Sequence, residues 1–199
     1  MHLAAPAILI AARPHGETAV IARMLTEAHG VVAAYVAGGR GRQLRPVVIP
    51  GNTVQAEIRA KSDSQLPFAR IELERSRAPW LTEPLPAAAI GWACALTATA
   101  LPERNSYPSV HAALGGLLDA VCAAPSARVW VNAQVAYEAL LLRELGYGGG
   151  RPETGGISKA LAALDRMEQP IADYLLPDRR RDVLQARTRL RALLGRMAA

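Results

Sequence analysis

Three arginines within six residues, Arg40, Arg42 and Arg45, follow directly on Gly38 and Gly39. Glycine lets a backbone come close to a polyanion, and each guanidinium presents a planar fork of donors that suits a phosphate. This pattern supports binding of a charged chain. Arg59 and Lys61 add two more cations on one face of an alternating segment. Stacking surface is scarce by comparison, since Tyr35 and Phe68 are the only aromatic residues in 1–77. Phosphate-dominated, sequence-independent binding is therefore expected ahead of binding by stacked bases.

The residue types that carry catalysis do not converge in the same way. No nucleophile elbow, no HExxH and no Walker lysine occurs, and the glycines of 146–150 lack the GK[ST] of a phosphate loop and end a helix. Glu72 and Glu74 share a strand face with Arg70, which reads as a solvated charge ladder. His2, His15, His29 and His111 are scattered, and Cys94 and Cys122 fall among apolar helical residues as buried thiols do. Two cysteines cannot make a disulfide framework or a structural zinc site. No enzyme is expected, and no cofactor.

Charge points the same way. The 199 residues carry a net charge of +6, and lysine occurs only at Lys61 and Lys159. Residues 1–80 hold 10 basic and 6 acidic groups, 81–150 hold 3 and 5, and 151–199 hold 10 and 6. Basic ends flank a mildly acidic middle, and such a surface attracts nucleic acid. The apolar run 85–101 is too short for a membrane span, and residues 1–12 read as a strand and not a signal peptide. A soluble, reducing, cytoplasmic setting is expected.

The elements that must position these residues fall into two groups. Strands are expected at 7–11, 18–25, 31–36, 52–61 and 70–75, with Val54, Ala56, Ile58 and Ala60 alternating against Gln55, Glu57, Arg59 and Lys61. Five short strands in about 75 residues suit an OB-fold barrel. After Pro79 the spacing becomes helical, with helices expected at 86–101, 108–123, 129–146 and 157–168. A last helix is expected from near Pro177-Asp178, packing through Val183, Ala186, Leu190, Leu193 and Leu194 while Arg180, Arg187 and Arg191 line another face. The helix 129–146, apolar over most of its circumference, reads as the centre of a bundle and is closed by Gly146. The expected class is α+β, with an OB-fold over 1–79 and an all-α domain over 80–199.

Several segments, in order, resemble the RecO family of recombination mediators. They are Arg13-Pro14-His15-Gly16-Glu17-Thr18, Leu25-Thr26-Glu27-Ala28-His29-Gly30, Gly38-Gly39-Arg40 and Arg45-Pro46-Val47-Val48-Ile49-Pro50-Gly51-Asn52. Further on, Leu101-Pro102-Glu103-Arg104, the stretch from Tyr137 to Gly148, and Leu184-Gln185-Ala186-Arg187-Thr188-Arg189-Leu190 continue the likeness. The resemblance implies a non-enzymatic role in DNA repair by the RecF pathway. Its members bind single- and double-stranded DNA, anneal complementary strands and pair with RecR. They also engage the acidic, hydrophobic C-terminal tail of the single-stranded DNA-binding protein SSB, so that RecA can load.

On that basis the expected DNA contacts are Arg13, Arg40, Arg42, Arg45, Arg59, Lys61, Arg180, Arg187 and Arg191. An acidic tail needs a cation beside an apolar cleft, for which Arg104, Arg128, Trp130 and Tyr137 are the available pieces. The alternative is an OB-fold that docks protein and not DNA. Two departures from the family pattern stand out. Many members carry a four-cysteine zinc module after the Gly-Tyr-Gly segment, whereas here residues 150–157 contain no cysteine. The module is missing, so no zinc is expected. Ala136 also stands where a basic residue is expected before the aromatic-Glu pair.

Overall fold

Alternation, cleanest over Thr53–Arg59, patterns the first five elements, although residues 7–10 and 24–26 are buried throughout. In the computed structural model, which describes residues 2–60, 62, 65–148, 150, 152, 153, 155–176 and 181–197, the strands are β1 (His2–His15), β2 (Ala19–Thr26), β3 (Gly30–Val36), β4 (Thr53–Arg59) and β5 (Phe68–Arg75). Every second residue points inward, so that Leu3, Ala7 and Leu9, Val20, Ala22 and Met24, Val32, Ala34 and Val36, Val54, Ala56 and Ile58, and Ile71 make one core. The strands close in the order β1-β2-β3-β5-β4, as an OB-fold does. Closure between β3 and β5 rests on one parallel pair, Tyr35 with Phe68, beside the bond from the Tyr35 N–H to the Pro67 carbonyl at 2.7 Å.

Strand β1 is far longer than its apolar run suggested, because it serves two partners. Its first half pairs with β4 from His2 to Ile8, and its second half with β2 from Ala7 to His15. A register shift between Leu9 and Ala11 turns the chain from one partner to the other.

Residues 1–79 with 101–111 form one compact unit, and 80–100 with 112–199 a second. Residues 101–111, which sequence patterning put with the helices, thus group with the barrel. Glu103 bridges to Val31, the Arg104 N–H donates to the Val31 carbonyl at 2.9 Å, and the Ser106 hydroxyl donates to the Glu27 carbonyl at 2.8 Å. Gly30 makes this approach available. It has φ +64°, and a Cβ there would lie 1.8 Å from the Asn105 carbonyl oxygen.

The second unit is helical: α1 (Pro84–Ala100), α2 (Pro108–Ala123, its first turn in the barrel unit), α3 (Ala127–Glu144), α4 (Ile157–Pro170) and α5 (Arg181–Gly195). A 3-10 turn at Ala78–Thr82 and a π-helical turn at Ile171–Leu175 were not foreseen. The expected start of the last helix, Pro177-Asp178, lies outside the described residues. Helix α3 packs on α4 and α1, and α5 packs on α1 and α4. It ends as its sequence suggested: Gly146 takes φ +85°, its N–H reaches the Arg143 carbonyl, and the Tyr147 N–H reaches the Leu142 carbonyl at 2.8 Å. Among the described residues no helix is long and apolar enough to cross a membrane.

Candidate nucleic-acid interface

The loop from β3 to β4 is built to hold its arginines at one end of the barrel. Gly39 lies so close to β2 that a Cβ would meet Val20 Cγ2 at 2.5 Å. The Arg40 N–H donates to the Thr18 carbonyl at 2.9 Å. Arg40 Nη1 donates to the carbonyls of Gly16 at 3.2 Å and Glu17 at 3.0 Å, which ties the loop to the β1–β2 turn. Leu44, Val47 and Val48 then dip into the barrel core.

The far end of the loop is pinned by one side chain. Asn52, fully buried, donates through Nδ2 to the carbonyls of Pro46 at 3.0 Å and Val47 at 3.1 Å, and its Oδ1 accepts the Arg77 N–H at 2.8 Å. Arg77 is buried too and donates to the Gly51 carbonyl and, at 3.1 Å, to Thr53 Oγ1. Backbone bonds from Gly51 to Leu9 and from Leu9 to Asn52 close the loop onto β1. The basic segment is therefore a fixed scaffold and not a floppy tether.

Arg40, Arg42 and Arg45 are exposed and line an open pocket of about 550 Å³ with Pro46 and Ile49. Arg40 and Arg45 also line a second pocket of about 450 Å³ with Ala12, Pro14, Val20, Gly39 and Val48. Among the described residues no carboxylate pairs with these three guanidiniums, because the hydrogen bonds of Arg40 go to neutral carbonyls. Their positive charge is left uncompensated beside a concave surface. Forked donors of that kind suit phosphate oxygens.

The other expected contacts divide. Arg13 is exposed near the end of β1 and pairs across to Ile21. Arg59 is exposed on β4 but forms an ion pair with Glu57, which also approaches His2 at 3.4 Å. Hydrogen bonding from Arg59, then from His2, holds the Glu57 carboxyl below its usual range. Lys61 and Arg180 lie outside the described residues.

The arginine stripe expected on the last helix is corrected by the structure. Arg187 is 4% exposed. Its Nη2 donates to Glu138 Oε2 at 3.0 Å and to the Leu164 carbonyl at 2.5 Å, and its guanidinium lies 5.9 Å from the centre of the Trp92 ring. The other oxygen of Glu138 accepts Trp92 Nε1 at 2.7 Å and Gln134 Nε2 at 3.1 Å. This is a buried polar centre of the helical unit, and it offers DNA nothing. Arg191 is committed as well, in a forked pair with Asp165 at 2.6 and 2.8 Å that lowers the carboxyl's pKa and raises the guanidinium's.

Two of the expected partner residues are withdrawn into the helical unit's own core. Trp130 and Tyr137 are core residues, 2% and 1% exposed. Burial raises the Tyr137 phenol well above its ordinary pKa, and its hydroxyl is hydrogen-bonded to Thr97. Arg128 is exposed at the start of α3, where Nη2 donates to the Met197 carbonyl at 3.0 Å. Arg104 is exposed in the barrel unit with φ +63°.

Sequence reasoning missed one grouping. Tyr35 and Phe68, set aside as too few for stacking, meet with ring centres 5.1 Å apart, and His15 meets Tyr35 edge-on at 5.8 Å. The β3–β5 pairing that joins the two rings is parallel and non-local, and no local pattern announces it.

Comparison with protein families matches residues 1–76 to the N-terminal model of recombination protein O and residues 83–148 to its C-terminal model. The chain is 45% identical over 143 residues to DNA repair protein RecO of Rhodospirillum centenum, covering 71% of this chain and 56% of that protein. It is 41% identical to RecO of Caulobacter vibrioides, covering 71% and 58%. Over 179 residues it is 32% identical to RecO of Gluconacetobacter diazotrophicus, covering 87% and 70%. The matched region thus spans little more than half the length of the first two relatives. Two family models in sequence order, on a five-stranded barrel followed by helices, show that the chain belongs to the RecO family.

Proposed function

We propose that this chain is a non-enzymatic recombination mediator in DNA repair, which binds DNA strands and anneals complementary ones. The observation that carries this reading is the set of three uncompensated guanidiniums, Arg40, Arg42 and Arg45, around one open pocket at the end of the barrel. Guanidiniums on a fixed loop neutralise phosphates on approaching strands and lower the repulsion that opposes pairing. Arg13 and Arg59 widen the basic surface on β1 and β4. Residues 1–79 serve as the DNA-binding part and 80–199 as the helical part that meets protein partners, and the protein acts in the cytoplasm at the nucleoid.

From the family resemblance the partners are RecR and the acidic tail of SSB, with loading of RecA as the outcome. With Trp130 and Tyr137 in the core, the cation and apolar surface that remain together on α3 are Arg128 and its exposed neighbour Val129. Fluorescence anisotropy of a labelled oligonucleotide titrated with the full chain tests the DNA reading. Saturable binding that weakens steadily with added salt supports it, and no binding at about 20 mM salt overturns it. A labelled acidic tail peptide tests the docking reading in the same way, with Arg128→Glu as the variant that abolishes binding.

A further inference from the structure

The barrel carries a second surface, next to the basic loop, that charge alone does not explain. Phe68 is 63% exposed, the most open of the aromatic residues. The cross-strand register joins Arg13 to Ile21, Ile21 to Tyr35, Tyr35 to Phe68 and Phe68 to Arg59. Their neighbours Ala22, Ala34 and Ile58 fill the core, so Ile21, Tyr35 and Arg59 face outward, with Arg13 and Phe68 exposed beside them. One continuous row therefore crosses the barrel, with two aromatic rings in the middle and a guanidinium at each end. Tyr35 meets Phe68 at an interplanar angle of 63°, which props the Phe68 ring while leaving most of it in water.

We infer that the row Arg13–Ile21–Tyr35–Phe68–Arg59 is a base-stacking platform for an unpaired strand of nucleic acid. Apolar rings with the Arg13 guanidinium at one end, and the Glu57-paired Arg59 at the other, match a chain whose bases are flat and whose backbone is anionic. Adjacent strands lie about 4.8 Å apart, so the three strand steps from Arg13 to Phe68 span roughly 14 Å, enough for about two nucleotides. The row is also continuous with the basic loop. Tyr35 is followed by the 37–45 segment, its ring touches His15, and Arg40 grips the carbonyl of Gly16 next to that histidine. Bases inside a duplex are already stacked on each other and cannot lie on Phe68. The platform thus gives preference for single strands, where the arginine loop gives affinity for any phosphate backbone. Glu57, paired with Arg59 and lying one residue pair further along the same face, limits the platform on the β4 side.

This inference rests on the DNA-binding reading, and its test separates the two. The full chain and its Phe68→Ala and Phe68→Tyr variants are titrated against an oligo-dT strand, an abasic strand of the same length and charge, and a duplex. The unmodified chain is expected to bind oligo-dT on the order of tenfold more tightly than the abasic strand. Phe68→Ala should lose that difference while keeping duplex affinity and salt slope, and Phe68→Tyr should restore it. Equal binding of oligo-dT and abasic strands by the unmodified chain overturns the platform and leaves the phosphate site standing. Oligo-dT binding untouched in Phe68→Ala also overturns it and assigns the exposed ring to a protein partner. Failure to bind any of the three probes removes both readings.

Discussion

Replacing Arg42 and Arg45 with alanine isolates the charge of the loop from its architecture. Both side chains are exposed and without carboxylate partners among the described residues, and the bond from the Arg45 N–H to the Gly41 carbonyl needs no side chain. Stability should therefore move by no more than about 0.5 kcal/mol. Each phosphate contact on a single strand contributes about −0.7 to the log-log slope of affinity against salt, so two contacts contribute about −1.4. Carried from 1 M to about 0.15 M salt, that is about 1.2 decades, or roughly 15-fold in affinity and about 1.6 kcal/mol. The assay is anisotropy of a labelled 20-mer between 50 and 300 mM salt (roughly the range over which such slopes are linear). The Arg42→Lys, Arg45→Lys double variant keeps the charge and should keep the slope, with a smaller loss for the missing fork. An alanine variant with the slope of the unmodified chain would refute the assignment of this loop to phosphate.

The helical unit offers a stability test: Arg187→Ala strands the buried Glu138 carboxylate and should cost about 3–5 kcal/mol in urea unfolding, while Arg187→Met with Glu138→Gln, which removes the charge but keeps an acceptor for Trp92 Nε1, should recover part of it. A cost below about 1 kcal/mol would mean that the pair does not hold the helices. Asp165 supplies a pH test. Its carboxyl pKa is lowered by Arg191, so the pair's contribution is present above the unfolded value near pH 4 and is lost as pH falls through the lower folded value. Asp165→Asn should therefore lower Tm slightly at pH 7, and the difference should shrink as pH falls below about 4; a difference that stays constant would contradict the assignment. Gly30→Ala should destabilise by about 2–3 kcal/mol, since the residue has φ +64° and its Cβ would overlap the Asn105 carbonyl. An unchanged Tm would show that the segment 103–106 does not lie against β3.

What the sequence made legible were the features set by local periodicity. The alternation through Val54, Ala56 and Ile58 located β4, and Gly146 marked the end of α3. The loop arginines were legible because glycine and guanidinium state their chemistry without a partner. Long-range facts were hidden. The length of β1 comes from pairing with two strands, which its Ala-rich sequence with Pro6 and Pro14 does not advertise. The attachment of residues 103–106 to the barrel rests on long-range partners, the Arg104 bond to Val31, the Ser106 hydroxyl on Glu27 and the Arg23–Glu103 ion pair, which no local pattern announces.

Arg187 was misread for an instructive reason. It aligns with Arg191 along one face, which suggested a solvated stripe. It also falls with Val183, Leu190 and Leu194 at the spacing of a buried seam, and all four are buried. Glu138 sits in the same way between Val131, Gln134, Val135 and Leu142 of α3. A charge on each of two core seams, of opposite sign, is a signal that the sequence did contain. Trp130 and Tyr137 follow the same rule, because large aromatics at helical spacing fill cores before they form clefts.

The central claim is that loop arginines bring DNA strands together by charge and cut nothing. It is tested most directly by mixing two complementary strands, one carrying a fluorophore and the other a quencher, with the full chain at increasing salt. Faster annealing at low salt that fades as salt rises, with both strands recovered at full length, is the predicted result. Annealing no faster than that of the bare strands in dilute buffer, or shortened strands at the end, would contradict it.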